Sequence, residues 1–119
     1  MSLTDEKNYE MIFEIIMHAG EARNFANESI DYSEKYKFDI AEKIMEKAKN
    51  ELVVCHNLQT ALLNKEASGD KNEINIFLIH AQDHFSMASS SIEFAERFEK
   101  IYRKLSKMEE LYEKSISSM

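Results

Sequence analysis

A chain of 119 residues with no proline, two glycines and 44% apolar residues is one domain's worth of helix-forming sequence. Its net charge of −7, with lysines and arginines scattered among acids, removes the electrostatic basis for binding nucleic acid or an anionic membrane surface. Its longest near-apolar run, Ile74 to Ala81, is far too short to span a bilayer and contains Asn75 and His80. No N-terminal stretch has the charged-then-apolar form of a signal peptide, so direct membrane insertion is not expected. Cys55 is the single cysteine. It has no intramolecular partner, fits a reducing cytosol, and is flanked by Val53, Val54 and Leu58 as a buried, inert thiol would be. A cytoplasmic protein is the expectation.

Three helical segments are expected in chain order. The first runs from about Thr4 to Lys35, with Tyr9, Ile12, Ile16, Ala19, Ala22 or Arg23, Ala26 and Ile30 advancing by threes and fours. A second stripe, Met11, Ile15, His18, Ala22 and Phe25, is offset from it. Ser2 or Thr4 is placed to cap the start, with Asp5 and Glu6 at the positive end of the dipole. A short turn near residues 35–38 follows, after which either Asp39 caps the next helix or that helix starts slightly earlier. The second segment runs from Asp39 to Ala67 on the stripe Ala41, Met45, Ala48, Leu52, Cys55, Gln59 and Leu62. It stops at Ala67-Ser-Gly-Asp70, where Gly69 suits a left-handed residue after the helix, and Asp70 or Asn72 then caps the third.

The third segment runs from about Glu73 to Tyr112 or beyond, and residues 113–119 read as a frayed tail, so the domain is expected to span 1–112. One stripe of this segment is Phe77, Ala81, His84, Ala88, Ser91, Ala95, Phe98, Tyr102 and Leu105. A second steps in sevens through His80, Met87, Phe94, Ile101 and Met108, with Asp83, Ser90, Arg97 and Lys104 three residues on. Three long helices with short connections make an all-α, up-down-up antiparallel bundle. Because the first and third segments each carry two stripes, the second stripe of each is expected to pack on another copy of the chain.

The third segment also carries Ile79-His-Ala-Gln-Asp-His-Phe85. His80, Asp83 and His84 fall on one face of a helix. Three readings stay open. A His-x-x-x-His pair binds zinc, but a zincin needs Glu at Ala81, no Glu-x-x-His pair is present, and third ligands would have to come from His18 or His56. A neutral imidazole is a nucleophile toward phosphorus, with Gln82 and His84 available as donors to phosphoryl oxygens. With no Gly-rich phosphate loop in the chain, that phosphoryl group must come from another protein. The third reading is a structural, non-catalytic bundle in which these residues only pack or set register. Asp83 lies on the seven-residue stripe. If assembly is threefold, three carboxylates converge and call for protonation or a divalent cation.

Three blocks carry a resemblance: Phe13-Glu-Ile-Ile-Met-His-Ala-Gly-Glu-Ala-Arg23, His56-Asn-Leu-Gln-Thr-Ala-Leu-Leu-Asn-Lys-Glu-Ala-Ser-Gly69, and His80-Ala-Gln-Asp-His84 followed by Phe85 and Met87. In order and spacing, over about residues 9–105, the chain resembles the IIA component of the lactose/cellobiose branch of the bacterial sugar phosphotransferase system. The resemblance implies a three-helix subunit in a homotrimer. It implies that His80 accepts a phosphoryl group from the phosphocarrier protein HPr and passes it to a cysteine of the IIB component. It matches Asp83 to the aspartate that holds a divalent cation, Mg2+ being the expected one, at the trimer axis. Gln82 and His84 match positions beside the phosphoryl group. Two departures stand out. Tyr36-Lys37 occupies the first turn, where the family often has Gly-Asp, and the chain runs on from Ser106 to Met119. The sugar is left open among lactose, cellobiose and chitobiose types.

Overall fold

The computed structural model describes residues 3–69 and 76–119. Among them are three helices and no strand: α1 (Leu3–Glu34), α2 (Phe38–Ala67) and α3 (Ile76–Ser117). The expected caps Ser2, Asp70 and Asn72, and the start of the third helix at Glu73, lie outside the described residues. The subunit is a rod of 76 × 21 × 17 Å.

Cross-helix pairs establish the up-down-up course. Near one end Lys65 of α2 donates to Asn8 of α1, and further along His18 of α1 meets Glu51 of α2, so these helices are antiparallel. Phe77 at the start of α3 meets Tyr9 and Phe13 near the start of α1, so α1 and α3 run parallel.

α1 is the middle element, and this corrects one expectation. Both of its stripes are used inside the subunit: Ile12, Ile15, Ala19, Ala22 and Ala26 are all buried. One set of neighbours is on α2 (Met45, Ala48, Cys55, Leu62) and the other on α3 (Ala81, Ala88, Ile92, Ala95). The second stripe of α1 therefore needs no other copy. The seam is made of small residues, with Ala81, Ala88 and Ala95 seven apart on α3, and it lets the helix backbones approach closely. Ile92 is buried with them and Leu78 and Phe85 pack alongside, but most large apolar residues of α3 point the other way. Met87, Phe94, Phe98, Ile101, Leu105 and Met108 are all exposed on the subunit.

The helix ends follow local chemistry. Lys37 N–H bonds the Tyr32 carbonyl and Tyr36 N–H bonds the Ser33 carbonyl, the paired bonds of a Schellman stop with Tyr36 left-handed at φ 59°. A tyrosine there carries a backbone cost of roughly 1–2 kcal/mol that glycine would not. Its ring stacks on Phe38, and its hydroxyl reaches Glu109 of α3, whose carboxylate holds the phenol pKa above its ordinary value. The cap of α2 is Lys37, without a side-chain hydrogen bond, and the helix starts at Phe38. Asp39 is thus not the cap but lies in the first turn, where its charge suits the dipole. Gly69 has φ 99°, the left-handed conformation expected of it. At the far end, residues 113–117 are helical rather than frayed, since α3 runs through Ser117.

Two serines of α1 face the α2 side of the bundle and differ in one respect. Ser29 donates to the Ala41 carbonyl at 2.9 Å, whereas the fully buried Ser33 hydroxyl has no partner among the described residues. An unpartnered buried hydroxyl costs about 1–3 kcal/mol. Ser33→Ala is therefore expected to raise the unfolding free energy in urea by about 1 kcal/mol, and Ser29→Ala to lower it by about as much.

Candidate functional site

The polar cluster sits near the start of α3. His80 is exposed and His84 half-buried. Their Nε2 atoms lie 3.0 Å apart, with the rings edge-on at 81°. One Nε2 must donate and the other accept, so at least one of the two imidazoles is neutral in this arrangement. The pair depends on helical spacing alone: one turn brings residues 80 and 84 side by side.

Gln82 does not join them within one chain. Two residues along a helix rotate a side chain by roughly 200°, which sends Gln82 to the far side of α3 from His80. There its carbonyl oxygen accepts a hydrogen bond from the Gln59 amide of α2. That leaves the Gln82 amide N–H groups as outward donors. Sequence reasoning missed Gln59 in this role. The signal available was a single glutamine in an otherwise apolar α2 stripe.

Asp83 is exposed, in line with Met87, Phe94 and Ile101 on the outer stripe of α3. It forms no ion pair among the described residues. The other two histidines are elsewhere. His18 Nδ1 pairs with the Glu51 carboxylate between α1 and α2, and the His56 ring stacks near Phe85 at a centroid distance of 6.4 Å. Neither reaches His80 and His84. Among the described residues, no three His, Cys, Asp or Glu side chains gather into a metal site.

Around the histidine pair the surface is apolar. Phe77 packs edge-on against Phe13 of α1 at 5.5 Å, and both are about half exposed. Met17, one turn along α1 from Phe13, and Met87 on α3 are exposed as well. Arg23 of α1 borders a shallow groove with Ser86, Met87, Ser90, Ser91 and Phe94, two turns beyond the site.

The chain matches the family described as PTS system, lactose/cellobiose specific IIA subunit, over residues 10–103. It belongs to that family. It is 34% identical to the lichenan-specific phosphotransferase enzyme IIA component of Bacillus subtilis, over 85% of this chain and 92% of the relative. It is 40% identical to the lactose-specific EIIA component of Streptococcus mutans, over 60% of this chain and 69% of the relative. The fold is similar to the crystal structure of the PTS cellobiose-specific enzyme IIA from Bacillus anthracis, with a TM-score of 0.82 and 38% identity, covering 90% of this chain and 95% of the other. The chain is thus a sugar-specific IIA component of lactose/cellobiose type. None of its described helices is long and apolar enough to cross a membrane.

Cys55 is not part of this site. It is fully buried, and its thiol lies 3.5 Å from the Ile15 carbonyl as donor. Burial, and next the nearby Glu51 charge, push its pKa up to about 11. A thiol so raised holds its proton in the fold while the unfolded thiol ionises from about pH 9, so this group's contribution to stability falls as pH rises from 9 toward 11. At pH 8 the folded IIA component is expected to leave a thiol reagent unreacted until denaturant is added. Cys55→Ala should show a shallower loss of stability than wild type between pH 9 and 11.

Proposed function

We propose that this IIA component is a phosphohistidine carrier. It takes a phosphoryl group from phospho-HPr on His80 and gives it to a cysteine of the IIB component, in the uptake and phosphorylation of a lactose/cellobiose-type sugar. The observation that carries the reading is an exposed imidazole whose Nε2 already has a hydrogen-bonding neighbour in His84. The lone pair of His80 attacks phosphorus, a P–N bond forms, and the P–N bond of the donor breaks. With the group on Nε2, His84 is one turn away to donate to a phosphoryl oxygen. In the second step a thiolate of the IIB component attacks, a P–S bond forms, and the His80 P–N bond breaks. The exposed Phe13, Met17, Phe77 and Met87 supply an adaptable apolar rim on which two different partner proteins can dock in turn. Both partners act at the cytoplasmic side, which is where the reading places this chain.

The same reading includes a homotrimer built on α3. The exposed stripe from Met87 to Met108 supports it, because so continuous an apolar face calls for a cover. Assembly around that stripe would also bring in Gln82. Lying across α3 from its own His80, with its carbonyl held by Gln59, it can serve as donor to the His80 of a neighbouring copy. Asp83 fits a divalent cation: it is exposed on the same stripe, unpaired, and offers the hard oxygen ligands that Mg2+ prefers. One chain supplies a single such carboxylate there, so Asp83 from each of three copies would hold the ion. Its chemistry would be to neutralise carboxylates brought together by assembly.

With phosphoenolpyruvate, enzyme I and HPr, the wild-type protein should gain one acid-labile phosphoryl group per chain and pass it to the IIB component. His80→Gln should gain none; labelling equal to wild type would refute the assignment. Gln82→Leu is expected to assemble normally and to slow transfer roughly 10- to 100-fold, the worth of one hydrogen bond to a charged group.

A further inference from the structure

The match to the family ends at residue 103, yet α3 continues unbroken to Ser117. The α1–α2 turn reaches α3 through Phe38, over which the Arg103 guanidinium lies at 4.5 Å, and through Tyr36, which meets Glu109. From Lys107 onward every residue is exposed. A free helical end of this length is marginal in water. Something else on the chain has to account for it.

We infer that residues 104–117 form a parallel coiled coil with the same segment of other copies, a stalk that prolongs the subunit assembly beyond residue 103, where the match to the family model ends. The heptad frame supports this. From Phe98 the core positions read Phe98, Ile101, Leu105, Met108, Tyr112 and Ser115, with spacings of three and four throughout. The five large ones are between 41% and 68% exposed. The positions farthest from that seam are Ser106, Lys107, Glu110, Glu113, Lys114 and Ser117, all polar. Lys114 and Glu110 pair with each other there, on the outer face. Leu111 and Ile116, also exposed, flank the seam and widen its apolar side, and a helix with such a side and a fully polar back is made for partners of its own shape.

Charge selects the occupant and its direction. Lys104 and Glu109 flank the seam on opposite sides, five residues apart. In a parallel, in-register coil that is the spacing at which a flanking residue of one helix meets the opposite flank of the next. Identical copies therefore bring unlike charges together. Glu109 keeps a second carboxylate oxygen for this after accepting from Tyr36. The seam is also continuous with Met87 and Phe94, the stripe on which the trimer proposed above rests, so the same number of strands would run through both.

The test uses the full chain. Ser115→Cys places a thiol at a core position, while buried Cys55 stays silent. Mild oxidation should give disulfide-linked chains through residue 115, as only a parallel, in-register coil permits. In sedimentation equilibrium, Met108→Glu with Tyr112→Glu should raise the dissociation constant of the assembly at least 10-fold. Lys104→Glu should weaken it, and adding Glu109→Lys should restore it. Two results would overturn the stalk and leave the carrier reading standing. One is a Ser115→Cys protein that assembles but gives no cross-link between the introduced thiols. The other is an assembly indifferent to Met108→Glu with Tyr112→Glu. A protein that assembles and cross-links through residue 115 but takes no phosphoryl group on His80 would sink the carrier reading and leave the stalk.

Discussion

The structure depends on close approach of α1 to its two neighbours through alanines. Ala19, Ala22 and Ala26 of α1 face Ala48 of α2 and Ala88 and Ala95 of α3 in one buried cluster. Small side chains allow tight backbone contact, but each removes little apolar surface from water. The largest fully buried side chains are only Cys55, Ser29 and Ser33. A subunit core of this kind is thin, and the chain compensates with length: α3 has 42 residues, about 63 Å of helix at 1.5 Å per residue. The same choice explains the outer face. With the seam built mainly on alanine, and Ile92, Leu78 and Phe85 the larger α3 residues packed against it, Met87, Phe94, Phe98, Ile101, Leu105 and Met108 turn outward.

That division places the chemistry. Within five residues, α3 sends side chains in three directions. Gln82 turns to α2 and Gln59, and Asp83 joins the outer apolar stripe. His80 and His84 stand together beside Phe77, at the edge of the α1 contact. Nothing encloses the histidines. Their mutual geometry is fixed by the helix, and the helix is fixed by the seam behind it. Surface ion pairs such as Lys49–Glu96 and Arg103–Glu42 tie α2 to α3, but exposed pairs of this kind are worth only about 0–1 kcal/mol each. The packing of alanines, more than charge, holds the site in place.

Much of this was legible in the sequence, and the misreadings share a cause. The three helices, the left-handed Gly69 and the buried Cys55 followed from local chemistry: missing breakers, a glycine after the last helical turn, and apolar flanks. The pairing of His80 with His84 followed from spacing. What periodicity cannot reveal is which surface covers a stripe. α1 has two apolar stripes because it is the middle helix, and the same pattern would suit a helix between subunits. His18 read as a spare ligand because its partner, Glu51, lies 33 residues away. Tyr36 read as a departure from a glycine turn. The backbone nonetheless takes the left-handed form, with Phe38 and Glu109 offsetting its cost. Residues 113–119 read as a frayed tail because Glu-Lys-Ser-Ile-Ser-Ser-Met carries no apolar stripe, although α3 runs through Ser117.

A phosphocarrier has two requirements that pull against each other. Its imidazole must be open enough for a donor and an acceptor protein to reach phosphorus in turn. It must also be held still enough for in-line transfer, because a misplacement of about 1 Å costs on the order of 100-fold in rate. An enzyme with a pocket solves the second requirement by burial. Here the ring is exposed, so rigidity has to come from the element that bears it. α3 is held on one side by the alanine seam, and its opposite side is a continuous apolar stripe. Covering that stripe from Met87 onward with other copies would brace the helix while leaving His80, one heptad before Met87 at the stripe's start, open to a partner protein. In the assembly proposed above, self-association would be part of how an open site stays ordered, and the long C-terminal run of α3 would add to that brace.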